Sequence, residues 1–391
     1  MISQQELAAL RAEWVLDQSV IEKDYLLGWL LAGIASHDAL SRTWVFKGGT
    51  CLRKCYYETF RFSEDLDFTI IDGGPEQPQD LMRIFGEIAE WVREESGIEL
   101  VLDAQAFQRK KNKRDNPTTL GRIAYRGPNA YPRMPKVKLD LTSDEVLVDR
   151  PELRTIGHPY SDTLPAPGVL SYSIAELLGE KLRALSERCR PRDLYDVVHM
   201  HRHPDLVALA GAVRSVLEAK CVHAELKVPT VETIRSSPFR AEVENEWENM
   251  LGHQLPSPLP PFKDFWSALD DLSSWLGGTL RTPQLARAEL GKLDAAWQAP
   301  KAITSWRRGV PLERLRYAGT NRLKVRIDYR AAEGRQGPRL VEPYALRHTQ
   351  DGNLVLFAVN DHDALRSYRV DRIAAIQPTA TTFEPRYLVE F

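Results

Sequence analysis

The stretch Thr43-Trp44-Val45-Phe46-Lys47-Gly48-Gly49-Thr50, followed after a spacer by Asp65-Leu66-Asp67, decides the reading of this chain. Residues 43–46 predict a short strand running straight into the glycines, and 51–57 then reads as a helix. Glycine at such a turn lets the backbone come close to a phosphate, while the helix start offers free N–H groups and the positive end of its dipole. Asp65-Leu66-Asp67 opens a second strand, with the apolar run 66–71. Its period of two places both carboxylates on one face, about 7 Å apart along the chain, with Leu66 turned to the other side. Such a pair suits a hard cation such as Mg²⁺ (or Mn²⁺), which takes oxygen ligands and keeps substrate phosphates in its shell. Either motif alone is common in tight turns and polar strand faces. In this order they point to a phosphate cradle beside an acidic pair.

Further along, Lys136-Val137-Lys138-Leu139-Asp140-Leu141-Thr142 alternates, so Asp140 shares a strand face with Lys136, Lys138 and Thr142. That face is either solvated or supplies a third carboxylate, placed to act as general base on an attacking hydroxyl. In the predicted helix 174–186, Ile174, Leu177, Leu178, Leu182 and Leu185 form an apolar stripe that contains Lys181. A lysine there needs an anion, either a buried carboxylate or a nucleotide triphosphate. Arg190-Pro191-Arg192-Asp193 starts another helix, with Asp193 in its first turn, where a carboxylate complements the dipole, and Asp196 one turn on.

The rest of the chain frames these motifs. It has 391 residues, 43% hydrophobic and 27% charged, enough for two or three domains with a sizeable core. A net charge of -2 excludes a strongly basic field over the whole protein, so nucleic acid would be held by local patches. One candidate is Arg109-Lys110-Lys111-Asn112-Lys113-Arg114, a basic run in an exposed hairpin tip, or else simply a solvated loop. With no apolar run long enough to span a membrane and no secretory leader, a cytoplasmic location is expected. The four cysteines, without a CxxC pair, read as core thiols. A helix is predicted over 6–36, an amphipathic helix over 78–95, and strands over 99–106, 122–126 and 137–142. Mostly helical sequence runs from Ser171 to about Trp297, broken by the Pro-rich 255–261. Short alternating segments then follow at 323–330, 339–347, 354–360 and 366–370.

As a set these residues resemble the AbiEii toxin family of nucleotidyltransferases, which includes the MenT toxins and belongs to the DNA polymerase β-like superfamily. The likeness runs in order through Glu22-Lys23-Asp24-Tyr25, Phe46 to Lys54, Arg61-Phe62-Ser63-Glu64-Asp65-Leu66-Asp67-Phe68, Lys138-Leu139-Asp140, Ala175 to Leu185, and Arg192-Asp193-Leu194-Tyr195-Asp196-Val197. Thr50 stands where the superfamily often has serine, and the spacer 51–64 is long, but the hydroxyl and the glycine backbone are retained. Towards the C-terminus, 341–347, 354–358 and 366–373 resemble a WYL domain, with Leu354-Val355-Leu356 in place of Trp-Tyr-Leu and Arg347, Arg366 and Arg369 as possible anion ligands.

The resemblance implies an α+β fold in three parts: a small mixed-sheet nucleotidyltransferase core (1–165), a helical domain completing the cleft (166–305) and a small β-barrel-like WYL domain (306–391). It implies that Asp65, Asp67 and Asp140 bind metal, that Lys47, Gly48, Gly49, Thr50, Ser63 and Lys181 surround the nucleotide, and that Asp193 or Asp196 supports the site. The expected activity is metal-dependent transfer of NMP from an NTP to an acceptor, with the tRNA 3′ end as the first candidate. The expected setting is a toxin-antitoxin, abortive-infection system with a cognate antitoxin encoded nearby. Alternatives are nucleotidylation of a protein or small molecule, or a ligand-sensing regulator that uses its WYL-like domain.

Overall fold

The structure, a computed structural model, describes residues 1–112, 115–165, 168–278, 285–296 and 312–391. Lys113, Arg114, the proposed linker at Ala166-Pro167 and the proposed boundary at 305–306 lie outside the described residues.

The expected single N-terminal helix is two, α1 (Gln4–Trp14) and α2 (Gln18–Ser36). Val15 turns left-handed at φ 53°, and the Asp17 side chain accepts from Ser19 N, capping the second helix. From Ile21 to Ala35 almost every residue of α2 is buried, so this helix is a central strut rather than a half-solvated one. α3 (Asp38–Ser41) leads to β1 (Trp44–Lys47), then α4 (Gly48–Cys51), which continues as a π-helical turn over Leu52–Tyr56. β2 (Asp65–Ile70), α5 (Pro78–Ser96), β3 (Glu99–Val101), β4 (Phe107–Lys111), β5 (Pro117–Arg126), β6 (Lys136–Thr142), β7 (Glu152–Arg154) and β8 (Val169–Ser171) complete the first part.

The strands form one mixed sheet in the order β3-β5-β6-β2-β1-β8-β7, with β4 also on β5. β2 lies parallel to β6 and antiparallel to β1. Two readings are corrected here. The strand expected over 99–106 ends at Val101, and Arg109 to Lys111, expected in a hairpin tip, are the end of β4, paired with Pro117–Thr119.

Helices α6 (Ile174–Arg188), α7 (Pro191–His201), α8 (Ala210–His223), α9 (Val231–Arg235), α10 (Arg240–Asn245), α11 (Trp247–Leu251), α12 (Phe262–Ser267) and α13 (Leu269–Leu276) build the middle part. Ser173 caps α6 by accepting from Glu176 N, and Pro191 opens α7, where its missing N–H is harmless. Among the described residues of this part the last helix ends at Leu276, and no helix is described within 285–296.

α14 (Leu312–Thr320) leads into an antiparallel sheet of β9 (Leu323–Arg330), β10 (Gln336–His348), β11 (Leu354–Asn360), β12 (Leu365–Arg369) and β13 (Ile373–Thr382), in the order β12-β11-β10-β9-β13. The fifth strand, β13, is absent from the sequence reading. It is bulged and polar, with only Ile373 and Ile376 fully buried, so the alternation that would announce it is missing. One face of this sheet joins the main core through Val325, Ile327 and Leu356, and the other packs Tyr344 and Phe357 on Ala288 and Phe383. No helix among the described residues is long and apolar enough to cross a membrane.

Candidate nucleotidyl-transfer site

Parallel pairing of β2 with β6 sets Asp67 beside Asp140 and Asp65 beside Lys138. On the other side, antiparallel pairing sets Lys47 beside Asp67. Cross-strand partners share a face, so the three carboxylates and Lys47 lie on one face of the sheet. Gly48 follows at φ +82°, and a Cβ there would overlap Asp67 Oδ2, so the position demands glycine for both conformation and space. A Cβ at Gly49 would sit 2.6 Å from Arg61 Nη2 and 3.2 Å from Ser63 Oγ, so Ser63 and Arg61 close over the glycine turn.

The Asp65 and Asp67 carboxylates have no hydrogen-bond or ion-pair partner among the described residues. Burial, with the charges of Asp140 and Asp65, pushes the Asp67 carboxyl up to about 6 against the opposing pull of Lys47 and Lys181. Asp140 is exposed, with Oδ1 accepting from Thr118 Oγ1 at 3.1 Å.

A crowded, unpartnered carboxylate beside two more, next to a cradle that admits no Cβ, fits a divalent cation with substrate phosphate oxygens completing its shell. The described residues do not by themselves gather three acidic, imidazole or thiol groups into a finished metal cage.

The other predicted residues divide sharply. Lys47 is buried, and its Nζ meets Glu145 Oε1 at 3.2 Å. Burial disfavours its charge, but Tyr172 and the carboxylates of Glu180, Glu145 and Asp67 outweigh that and hold its pKa above the usual value. Thr50 is fully buried, and its Oγ1 donates to the Asp65 carbonyl at 2.5 Å, so it fixes the acidic strand to the glycine turn. Lys181 Nζ lies 2.8 Å from Asp196 Oδ2 and 3.9 Å from Asp193 Oδ1. Of the two partners open to Lys181 in the sequence, the structure supplies the buried carboxylate, while Lys181 still acts electrostatically on Asp67.

Arg61 grips Asp196 with two hydrogen bonds, Nε to Oδ1 at 2.6 Å and Nη2 to Oδ2 at 2.7 Å. Arg188 does the same for Asp193, at 2.7 and 2.8 Å. Both aspartates are therefore saturated. Burial raises the Asp196 pKa, and Arg61 and Lys181 more than reverse it.

Arg192 goes unassigned in the sequence reading. Its Nε is buried without a hydrogen-bond partner, and burial and the charge of Arg61 lower its pKa against the opposing pull of Glu64 and Asp65. A guanidinium in the first turn of α7 stands against the helix dipole, which was the available signal that it faces an anion.

Of the basic run, Arg109 pairs with Glu76 at 3.2 Å and Lys111 with Asp115 at 2.6 Å. In the C-terminal sheet, Arg347 is ion-paired with Glu390 and Arg369 with Asp371, leaving Arg366 the most open of the three. All four cysteines are free.

A mixed sheet presenting an acidic triplet beside a glycine turn, closed by a helical layer that brings in a lysine, defines a nucleotidyltransferase. The model of the nucleotidyl transferase AbiEii toxin family, type IV TA system, matches residues 29–271, and the chain belongs to that family. Residues 311–378 match the WYL domain. Among solved structures, the chain is similar to MenT4, a nucleotidyltransferase toxin from Mycobacterium tuberculosis H37Rv, at 18% identity over 70% of this chain and 87% of that one, with a TM-score of 0.47. A more distant similarity is to proteasome accessory factor B/C of Arthrobacter aurescens, at 15% identity over 39% of this chain and 20% of that one, TM-score 0.18. No curated protein matches the chain.

Proposed function

We propose that the chain transfers a nucleoside monophosphate from a nucleoside triphosphate to a hydroxyl of RNA, with the tRNA 3′ end as the first candidate, and that Mg²⁺ or Mn²⁺ is required. The observation that carries this reading is Asp67, a half-buried carboxylate without a hydrogen-bond partner, set against Gly48 and beside Asp140. The acceptor oxygen bonds to the α-phosphorus, the bond to the bridging oxygen breaks, and pyrophosphate leaves. Asp140, the exposed member, takes the acceptor proton. A cation held by Asp65, Asp67 and Asp140 would neutralise charge on the transferring phosphate. The Gly48-Gly49 backbone admits the phosphates, Lys181 and Arg192 offset their charge, and Asp196, itself clamped by Arg61, holds Lys181 in place. Catalysis is then positioning and electrostatics.

RNA as acceptor is supported by the sheet face itself. Lys138 stands beside Asp65, Arg122 beside Lys138, and Lys110 beside Thr118 two strands from Asp140. The side chains of these three cations are exposed and have no charged partner among the described residues. Cations on the open side of an acidic face track a phosphate backbone. This moves the contact from the hairpin tip to the sheet. The chain would act in the cytoplasm as a toxin of an abortive-infection (phage-defence) system, blocking tRNA and restrained by an antitoxin encoded nearby. Its parts would divide at 1–165, 166–305 and 306–391.

The test is incubation of the protein with Mg²⁺, each labelled nucleoside triphosphate in turn and total RNA, with Asp67→Ala alongside. Label on tRNA that disappears in the variant is the expected result. No label on RNA with any nucleotide overturns the RNA acceptor and favours a protein or small molecule.

A further inference from the structure

A second concavity shares no residue with the acidic face. It is a cavity of about 490 Å³ where the N-terminal helices, the segment 53–62 after the glycine helix and the segment 153–159 meet Tyr195 and Leu255 of the helical part and Glu313, Arg316 and Tyr317 of α14, which leads into the C-terminal sheet. That volume falls in the range of small-molecule sites, about 300–1,000 Å³, and is too small for a folded partner.

Its chemistry is specific. Trp14, Phe60, Tyr195 and Tyr317 supply flat aromatic wall. Four cations, Arg53, Lys54, Arg154 and Arg316, line it against three carboxylates, Asp24, Glu58 and Glu313. The two deepest cations share a single carboxylate: Arg53 Nε reaches Asp24 Oδ1 at 2.8 Å and Lys54 Nζ reaches Oδ2 at 2.7 Å, with Arg53 8% and Lys54 2% exposed. Two lining side chains, Tyr57 at 6% exposure and His158 with its side chain at 5%, hold buried polar atoms, Oη and Nδ1, with no hydrogen-bond partner. Buried polar atoms are normally satisfied, so unmet ones around a cavity of this size point to a missing ligand.

We propose that this cavity binds a small aromatic anion, a flat ring system carrying one acidic group, and that occupancy is felt at the transfer site. The wall 53–62 begins where the glycine helix ends and runs to Arg61, which clamps Asp196; across the cavity, Thr59 Oγ1 donates to Glu313 at 2.8 Å, tying the same wall to α14. The coupling rests on the transfer reading; binding does not.

The probe is 8-anilinonaphthalene-1-sulfonate, titrated by fluorescence into the full chain and into Thr155→Trp, Arg316→Gln, Glu58→Gln and Asp67→Asn, each checked for intact thermal unfolding. Thr155 is an exposed residue at the cavity wall, so the added ring fills the mouth without disturbing the core. The wild type is expected to show one saturable site. Loss of the Arg316 charge should weaken it roughly tenfold or more. Glu58→Gln, which removes the negative charge facing Arg316 at 3.2 Å, should tighten it. Thr155→Trp should abolish it, and Asp67→Asn should leave it unchanged. Equal affinity across all variants, or loss in Asp67→Asn, overturns the site. In the transfer assay, saturating dye should alter the wild-type rate and leave Thr155→Trp unaffected; the same response in both overturns the coupling alone.

Discussion

Asp24 and Asp67 are carboxylates of one continuous core, and they are treated in opposite ways. Burial favours the protonated form of Asp24, but Arg53 and Lys54 outweigh it, with Tyr160 Oη donating at 2.7 Å, and its pKa lies well below the usual range. For Asp67 burial comes first and the like charge of Asp140 adds to it, and its pKa is pushed up to about 6. The same contrast separates Asp196 and Asp193, each clamped by an arginine, from Asp65, which has no partner. Saturated carboxylates hold the frame, and on the proposed reading the open ones receive a cation and a phosphate.

The largest effect that would break this comparison is on stability. Asp24→Ala leaves two buried cations uncompensated, and urea unfolding should show a loss of about 3–5 kcal/mol; a loss below 1 kcal/mol, on the scale of a surface pair, would mean that the cluster is not structural.

Asp67 should behave in the reverse sense. Its folded pKa lies above the unfolded value of about 3.9, so the stability tied to its protonated form is fully present below pH ~4 and is lost as pH rises through about 6. At neutral pH its ionised form opposes folding by on the order of 2 kcal/mol, reduced for partial exposure. Asp67→Asn should therefore raise the unfolding temperature at pH 7.5 without divalent cation, the gain should vanish near pH ~4, and Mg²⁺ should stabilise the wild type more than the variant.

Smaller effects concern the acceptor. Arg122→Glu with Lys138→Glu should weaken RNA binding and lower the salt slope by about 2, one per phosphate contact, while nucleoside triphosphate binding holds. Lys111→Ala, which removes only an exposed pair with Asp115, should change stability by no more than about 0.5 kcal/mol and RNA affinity little.

Much of this was legible in the sequence because it is local. Alternation in Asp65-Leu66-Asp67 and in Lys138-Leu139-Asp140, the glycines after a strand, and a lysine in an apolar stripe all act over a few residues. Pairing was not legible. That β2 lies parallel to β6, bringing Asp67 beside Asp140, is a register between distant segments, and that Arg61 rather than solvent answers Asp196 depends on a loop closing across the fold. The break between α1 and α2 was available in Asp17-Gln18-Ser19, an N-cap signal overridden by the apolar run around it. β4 was hidden because Arg109-Lys110-Lys111 carries no apolar alternation; its pairing with β5, not its side chains, makes it a strand.

The measurement that tests the central claim most directly is nucleotide transfer by Asp67→Asn, made at a temperature where thermal unfolding shows the variant folded. The account predicts a fall in rate of roughly 10³-fold, the scale on which a preorganised charge acts at a transfer site, in a protein at least as stable as the wild type at pH 7.5. A folded variant that transfers at the wild-type rate would contradict it.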